Sequence, residues 1–121
     1  MLEPIVSTVV RSANTAVFGR TLNQVRTHHL VIDNVSYAGG PGEEINATEA
    51  FLAGISACAV LIIESAARDR GLELNQIGVE IEAVRDRTVS PPHFERIKIR
   101  PTLGGVSTQE AEELVESYKQ N

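Results

Sequence analysis

Cysteine is nearly absent from the sequence, since Cys58 is the only one among 121 residues. A single cysteine cannot form a disulfide within the chain, and chains without disulfides are typical of reducing compartments. The N-terminal segment also lacks the basic-plus-apolar pattern of a signal peptide. We therefore expect a cytoplasmic protein. One cysteine and three histidines scattered along the chain make a poor set of zinc ligands, so we predict neither a metal nor another cofactor.

Positive charge and aromatic side chains are also scarce. The chain has 11 Lys and Arg residues against 16 Asp and Glu, which gives a net charge of -5. Nucleic-acid binding needs clustered positive charge, so we exclude nucleic acid as the main partner. Two tyrosines, three phenylalanines and no tryptophan are too few for base-stacking platforms or aromatic cages. The hydrophobic content of 42% is enough for a core, and we expect one domain over residues 1–121.

The sequence does contain the signals of one long helix, predicted over residues 47–70. Asn46 is a favoured N-cap residue, and Glu49 stands three residues later, where it can complete a capping box. Gly71 stands where a helix commonly ends with a left-handed residue. Such a helix is the element around which the rest of the chain is organised.

This predicted helix carries no charge between Glu49 and Glu64. The uncharged run, residues 50–63, has 14 residues and is shorter than the ~20 needed to cross a bilayer, so no membrane association is expected. A helix that is apolar on all sides has no face suited to water. We therefore expect other elements, or a second subunit, to wrap it.

Shorter elements flank the helix on both sides. Residues rich in Val, Ile and Thr predict three antiparallel strands before it, at 4–11, 15–20 and 28–33, with a turn at 12–14 and a glycine-containing loop at 34–45. Alternating apolar residues after it predict a long hairpin with Glu/Arg contacts across its wet face. A capping box formed by Ser107 and Glu110 then starts a last, amphipathic helix. The order β-β-β-α-β-β-α predicts an α+β fold with antiparallel pairing.

Cys58 is the first candidate for chemistry. A lone cysteine on an apolar helix is most often a small buried hydrophobic residue. A reactive cysteine needs a cation or a helix N-terminus nearby to lower its pKa. Cys58 lies about three turns from the helix start, so an activating cation must come from another segment. Arg20, Arg26, His28 and His29 are the candidates for this cation, although the two arginines are by default solvated surface residues.

Glu49 is a second candidate, and its capping role is sufficient to explain it. Nine residues separate Glu49 from Cys58, which corresponds to about 900° of rotation and ~13 Å of rise along a helix. The two side chains therefore leave nearly opposite sides of the helix. They cannot share a site within one subunit, but they can do so across two subunits.

At this point the sequence resembles the OsmC/Ohr family of osmotically inducible and organic hydroperoxide resistance proteins. The resemblance lies in the strand from Arg26 to Asp33, in Gly39-Gly40, and in the block from Asn46 to Cys58 with its nine-residue Glu-to-Cys spacing. The downstream hairpin and helix match in order and length. Ala47 and Thr48 stand where the hydroperoxide-resistance branch has proline and glutamate, so the chain is most similar to the broader OsmC-like branch.

The resemblance implies an intertwined homodimer built around two central helices. It also implies thiol-dependent reduction of organic hydroperoxides, with Cys58 as the peroxidatic nucleophile. Either Arg26, favoured by the strand motif, or Arg20, favoured by the spacing back from Gly39, would hold the thiolate ionised, and Glu49 would hold that arginine. The site would be assembled between subunits.

One departure from the family concerns the resolving cysteine that active members carry on the final helix. This chain has no second cysteine and ends about where that residue would stand, so either the chain is truncated or an external thiol must serve as reductant. The alternative function is a non-catalytic OsmC-like protein that binds a small apolar ligand in the dimer cavity.

Overall fold

The computed structural model describes residues 4–88 and 94–119, and its elements follow the predicted order. The fold is α+β, as the sequence indicates. The elements are β1 (Arg11–Asn14), β2 (Arg20–Val25), β3 (His28–Asp33), a 3-10 turn (Ser36–Ala38), α1 (Ala47–Asp69), β4 (Gln76–Arg85), β5 (Phe94–Gly104) and α2 (Thr108–Lys119).

The described residues form two compact units, whose boundary falls between Ala50 and Phe51 inside α1. The first unit holds the sheet β1-β2-β3, and the second holds the hairpin β4-β5 together with most of α1 and all of α2. We expected a single domain over residues 1–121. This division into units does not test that expectation, which stays a prediction.

The three-stranded sheet of the first unit is the predicted antiparallel meander, but its first two strands lie later in the chain than predicted. The predicted strand at 4–11 is wrong, because only its last residue belongs to β1, and the predicted turn at 12–14 lies inside β1. The predicted second strand at 15–20 is wrong as well, because β2 has only Arg20 in common with it. A turn instead follows at Thr15, whose hydroxyl accepts a hydrogen bond from the N–H of Val17 (3.1 Å). Gly19, at φ +81°, completes the reversal and lets β2 start at Arg20.

The hairpin of the second unit confirms the predicted long pairing. Its register runs from Gln76 opposite Gly104 to Arg85 opposite Phe94. On the wet face, the guanidinium of Arg100 donates hydrogen bonds to Glu80 (2.9 Å) and Glu82 (3.1 Å), as the alternation predicts. The predicted turn at Pro91-Pro92 and the predicted loop position of His93 lie outside the described residues.

Helix α1 starts and ends where its signals indicate, and α2 starts where its capping box predicts. The side chains of Asn46 and Glu49 each accept a hydrogen bond from the other residue's backbone N–H, both at 2.8 Å, so the capping box of α1 is confirmed. Gly71 adopts φ +70° behind the last turn. Ser107 and Glu110 form the second capping box, at 3.1 and 2.9 Å. Leu114 of α2 then packs with Ile63 and Ala67 of α1 as a fully buried core.

Helix α1 is covered much less than its composition demands. Only Ala59, Ile63 and Ala67 of its residues are buried. Phe51 is 55% exposed and Leu61 59% exposed. Among the described residues, α1 is the one helix long and apolar enough to cross a membrane by length and composition, with 17% of its most apolar window buried. Residues 4–88 and 94–119 thus do not supply the expected wrapping, and a large apolar surface of α1 stays exposed among them.

Candidate functional site

The strongest polar arrangement in the structure joins β2 to β3. Arg20 and Asp33 are directly opposite in the antiparallel register of these strands. The guanidinium donates two parallel hydrogen bonds to the carboxylate, from Nε to Oδ1 at 2.7 Å and from Nη2 to Oδ2 at 2.8 Å. A bidentate pair of this length fixes the orientation of the guanidinium as well as its position.

Asp33 is the anchor of this arrangement, because it is almost fully buried with 1% of its surface exposed. Its Oδ2 also accepts hydrogen bonds from the backbone N–H groups of Glu43 and Glu44, both at 3.0 Å. The buried carboxylate therefore has donors on both oxygens, which is what allows it to stay ionised away from water. These bonds also close the loop that leads from β3 into α1.

A glycine makes this loop possible. A side chain at Gly40 would place its Cβ 2.3 Å from the carbonyl oxygen of Asn34, so no other residue fits without displacing the backbone. The backbone N–H of Asn34 in turn donates to the carbonyl of Gly19 at 2.7 Å, next to Arg20. The Gly39-Gly40 motif of the sequence therefore shapes the backbone around the arginine.

Arg20 and Asp33 each stabilise the ionised form of the other. The Arg20 guanidinium holds the pKa of Asp33 well below its ordinary value through their hydrogen bonds, against the opposing effect of burial, with help from the two backbone N–H groups. Hydrogen bonds to Asp33 and then to Glu43 raise the pKa of Arg20 above its already high value. Both groups are ionised at any physiological pH.

Glu43 is the third member of the cluster and the loosest. Its Oε1 accepts one hydrogen bond from Nη2 of Arg20 at 3.0 Å, and 73% of its side chain is exposed, against 0% for Asp33. Nη1 of Arg20 donates no hydrogen bond within the described part of the chain. Arg20 also lines a concave region of about 490 Å³ with polar residues of all three strands, namely Ser12, Asn14, Thr21, Asn23 and Asp33.

Arg26, the other candidate arginine, lies in a different setting. It occupies the exposed turn between β2 and β3, where it adopts a left-handed φ of +54°. Arg20 begins β2 and Arg26 follows its last residue, so roughly 20 Å of strand separates their backbones. The two arginines therefore lie at opposite ends of β2.

Cys58 is exposed on α1, so it is not a buried core residue of the chain. It lines a groove of about 660 Å³ whose apolar wall includes Leu61, Ile62 and Ala66. Arg70 also lines this groove, and its guanidinium is paired with Glu113. The nucleophile predicted from sequence is thus accessible within the single chain.

Glu49 lies at the start of α1, and its carboxylate accepts a hydrogen bond from the backbone N–H of Asn46.

The structure brings Arg20 together with Asp33 and Glu43, which sequence reasoning did not assign to the site. The pairing of Arg20 with Asp33 could have been found from the length of the turn between β2 and β3. A two-residue turn at Arg26-Thr27 places residues 20 and 33 opposite each other. Among the residues described, no group of His, Cys, Asp and Glu side chains is arranged to hold a metal ion.

Comparisons with known proteins agree on one fold and family. A family model described as OsmC-like protein matches residues 40–121. An OsmC-like protein of unknown function from Vibrio cholerae O1 biovar eltor superposes with a TM-score of 0.82 at 11% identity, over 97% of this chain and 90% of that one. None of the curated proteins compared with the chain matches it.

Two further solved structures with the same fold have names that refer to organic hydroperoxide resistance. An organic hydroperoxide resistance protein OsmC from Legionella pneumophila superposes with a TM-score of 0.68 at 20% identity, over 98% of this chain and 85% of that one. An organic hydroperoxide resistance protein from Elizabethkingia anophelis superposes with a TM-score of 0.76 at 14% identity, over the same shares of the two chains. At these identities the likeness shows a common fold.

Proposed function

Because the chain belongs to the family of OsmC-like proteins, we propose that it reduces organic hydroperoxides with the thiolate of Cys58. The observation that carries this proposal is the position of Cys58, exposed midway along α1 in a groove with an apolar wall. The functional names of two solved structures with the same fold support a peroxide-related role. An apolar groove suits the organic part of such a peroxide.

The proposed reaction transfers one oxygen atom to sulfur. The thiolate attacks the outer oxygen of the peroxide, the O–O bond breaks, and the alkoxide leaves and takes up a proton as the alcohol. Cys58 becomes a sulfenic acid. A thiol reductant then attacks that sulfur, releases water and forms a mixed disulfide, and a second thiol group frees the Cys58 thiolate. We assign the reductant to an external dithiol and the setting to the cytoplasm, where such thiols are kept reduced.

We assign the activating cation to Arg20 in preference to Arg26. A thiolate is favoured by a fixed positive group close to the sulfur. The bidentate contact with Asp33 fixes the guanidinium of Arg20, whereas Arg26 lies in an exposed turn. Glu49 is proposed as a third carboxylate that orients the arginine, besides Asp33 and Glu43.

The proposed active form is a homodimer, with each site assembled between subunits. Its support is the exposed apolar surface of α1, including Phe51 and Leu61. Burying apolar surface contributes roughly 25 cal/mol per Å², so a second subunit would stabilise what a single chain leaves in water. Glu49 and Cys58 leave nearly opposite sides of one helix and cannot share a site within one subunit. In a dimer, Glu49 of one subunit and Cys58 of the other can share a site.

Peroxide consumption tests the proposal directly. Wild-type protein supplied with a dithiol reductant is expected to consume cumene hydroperoxide, and Cys58→Ser is expected to reduce the rate to the uncatalysed level. Ser65→Ala is the matched control, because Ser65 lines the same groove but carries no thiol. Equal, slow consumption by wild type and Cys58→Ser would refute the enzyme.

A second candidate function is the binding of a small apolar ligand without catalysis. The apolar wall of the Cys58 groove favours it. This candidate requires no thiolate, so alkylation of Cys58 would then follow an ordinary thiol pKa of about 8.5 or higher. An alkylation curve centred well below that value supports the enzyme.

A further inference from the structure

The groove beside Cys58 has a polar end as well as an apolar wall. Cys58, Ile62, Ser65 and Asp69 all line it, and they follow each other on α1 at intervals of four, three and four residues. Residues at these intervals lie on one face of a helix, each about one turn from the next. The groove therefore runs along α1 from the thiol, past an apolar side chain, to two polar residues.

The two ends of this groove are far enough apart to hold an extended chain. Cys58 and Asp69 are separated by 11 residues, which corresponds to about 16 Å of rise and to a rotation within roughly 20° of three full turns. Apolar side chains line the stretch between them, namely Leu61, Ile62 and Ala66. A short peroxide occupies only part of this length, whereas a molecule with a polar group at the far end of an apolar chain would span it.

The charge at the far end of the groove is negative. Arg70 also lines this end, but its guanidinium is paired with Glu113, which accepts a further hydrogen bond from the side-chain amide of Gln109 (3.3 Å). The carboxylate of Asp69 forms no hydrogen bond or ion pair with any residue that the structure describes. Two carboxylates thus accompany one guanidinium, and one of the two is free to bind a ligand.

The position of Asp69 in the helix adds to this negative charge. Asp69 is the last residue of α1, and the C-terminus of a helix carries a partial negative charge that favours cations over carboxylates. Arg68, the basic residue of this turn, lines a different depression together with Glu64 and Gly71. The helix end and the Asp69 carboxylate therefore both favour a positively charged ligand in the groove.

We propose that this groove takes amphiphilic cations, and that the hydroperoxides reduced at Cys58 carry an ammonium group at the far end of an apolar chain, beside Asp69. This inference rests on the proposed role of Cys58, because it names the class of substrate that would reach that thiol. The apolar chain lies against Ile62 and Ala66. A carboxylate in place of the ammonium group would face Asp69 with like charge, so hydroperoxides of long-chain carboxylic acids would bind less well.

Protection of Cys58 against alkylation tests the groove without any peroxide. Dodecylammonium and dodecanoate have the same apolar chain and opposite charges. At about 1.2 Å per bond, this chain is about 13 Å long and reaches from the Asp69 end close to the thiol. In the full chain at pH 8, dodecylammonium should halve the rate of alkylation by iodoacetamide at a concentration about two- to fivefold lower than dodecanoate, the range expected for one exposed charge pair.

Asp69→Asn is the decisive variant, and in it the two half-protecting concentrations should become equal. It is expected to fold, because it takes a negative charge away from the C-terminal end of a helix. Glu64→Gln is the matched control, since it removes the same charge from α1 at a residue that lines the other depression, and it should keep the wild-type ratio. Equal protection by both amphiphiles in wild type, an unchanged ratio in Asp69→Asn, or the same change in both variants would overturn the inference.

The outcome is separable from that of the proposed function, because protection is measured without peroxide. If Cys58→Ser consumes cumene hydroperoxide as fast as wild type while the protection ratio depends on Asp69, the hydroperoxide reductase fails and the preference of the groove for cations stands. If catalysis depends on Cys58 while the two amphiphiles protect equally, the reductase stands and the cationic substrate does not.

Discussion

Asp33 and Arg20 are 13 residues apart in the chain, and their side chains meet through two hydrogen bonds of 2.7 and 2.8 Å. The register of β2 and β3 places them opposite each other at the open end of a hairpin. Since Asp33 also binds two backbone N–H groups of the following loop, one buried carboxylate ties the sheet, the arginine and the entry to α1 together.

Acid is expected to remove the stabilisation that Asp33 provides. Because the pKa of Asp33 is held below its ordinary value in the folded protein, this stabilisation is fully present above about pH 4. It is lost as the pH falls from there through the lower pKa of the folded state. As the pH is lowered from about 7 to about 3, the thermal midpoint of Asp33→Asn should therefore decrease less than that of wild type. Glu44→Gln should keep the wild-type slope, and identical slopes in all three proteins would contradict the prediction.

Substitution of Glu49 separates its capping role from a role in the site. Glutamine also completes a capping box, so Glu49→Gln should melt within a few degrees of wild type. If Glu49 orients the arginine through its charge, the same variant should consume peroxide several-fold more slowly. Asn46→Ala is the stability control and should cost about 1 kcal/mol of unfolding free energy. Unchanged peroxide consumption in Glu49→Gln would leave the residue as a helix cap only.

The two arginines should respond differently to substitution. Arg20→Lys keeps the charge but cannot make the bidentate contact, so Cys58 alkylation at neutral pH should slow on the order of tenfold. Arg26→Asn removes a charge from the turn but suits its left-handed φ, so alkylation should stay at the wild-type rate. Stability in that variant should be unchanged or rise by up to ~1 kcal/mol. The reverse pattern would identify Arg26 as the activating residue.

Sedimentation tests the homodimer. Wild-type protein at micromolar concentration should sediment as a dimer, because α1 leaves Leu61 59% exposed in an apolar surface. Leu61→Asp should shift the protein toward the monomer, since a charge would then have to be buried in the interface. Leu61→Met keeps an apolar side chain of similar size and should remain dimeric. A wild-type monomer would remove the proposed inter-subunit site.

A methyl group at Gly40 should destabilise the Arg20 cluster. The Cβ of alanine would lie 2.3 Å from the carbonyl oxygen of Asn34, a distance that the backbone must relieve by moving. We expect Gly40→Ala to lower the thermal midpoint by about 5–10 °C and to slow Cys58 alkylation. Gly78→Ala, where a Cβ would meet nothing within 4 Å, serves as the control. Equal midpoints for the two variants would show that the loop accommodates the extra atom.

The sequence by itself determined most of the helices and the hairpin, because their signals are local. A capping box needs only two residues three positions apart, and both boxes, at Asn46 and at Ser107, formed as expected. The alternation of apolar residues likewise determined the β4-β5 pairing and the contacts of Arg100. The first strand was misplaced because Val- and Ile-rich residues form a strand only where a neighbouring strand pairs with them, and the pairing begins at Arg11.

Only the tertiary structure decided the partners of Arg20. A sequence shows that an arginine and an aspartate exist, but the register of two strands decides that they face each other, and loop closure decides that the aspartate is buried. The exposure of Cys58 was likewise decided by the structure, because the sequence favoured a buried core residue at this position of an apolar helix. Both depend on contacts between segments distant in sequence, which local patterns do not encode.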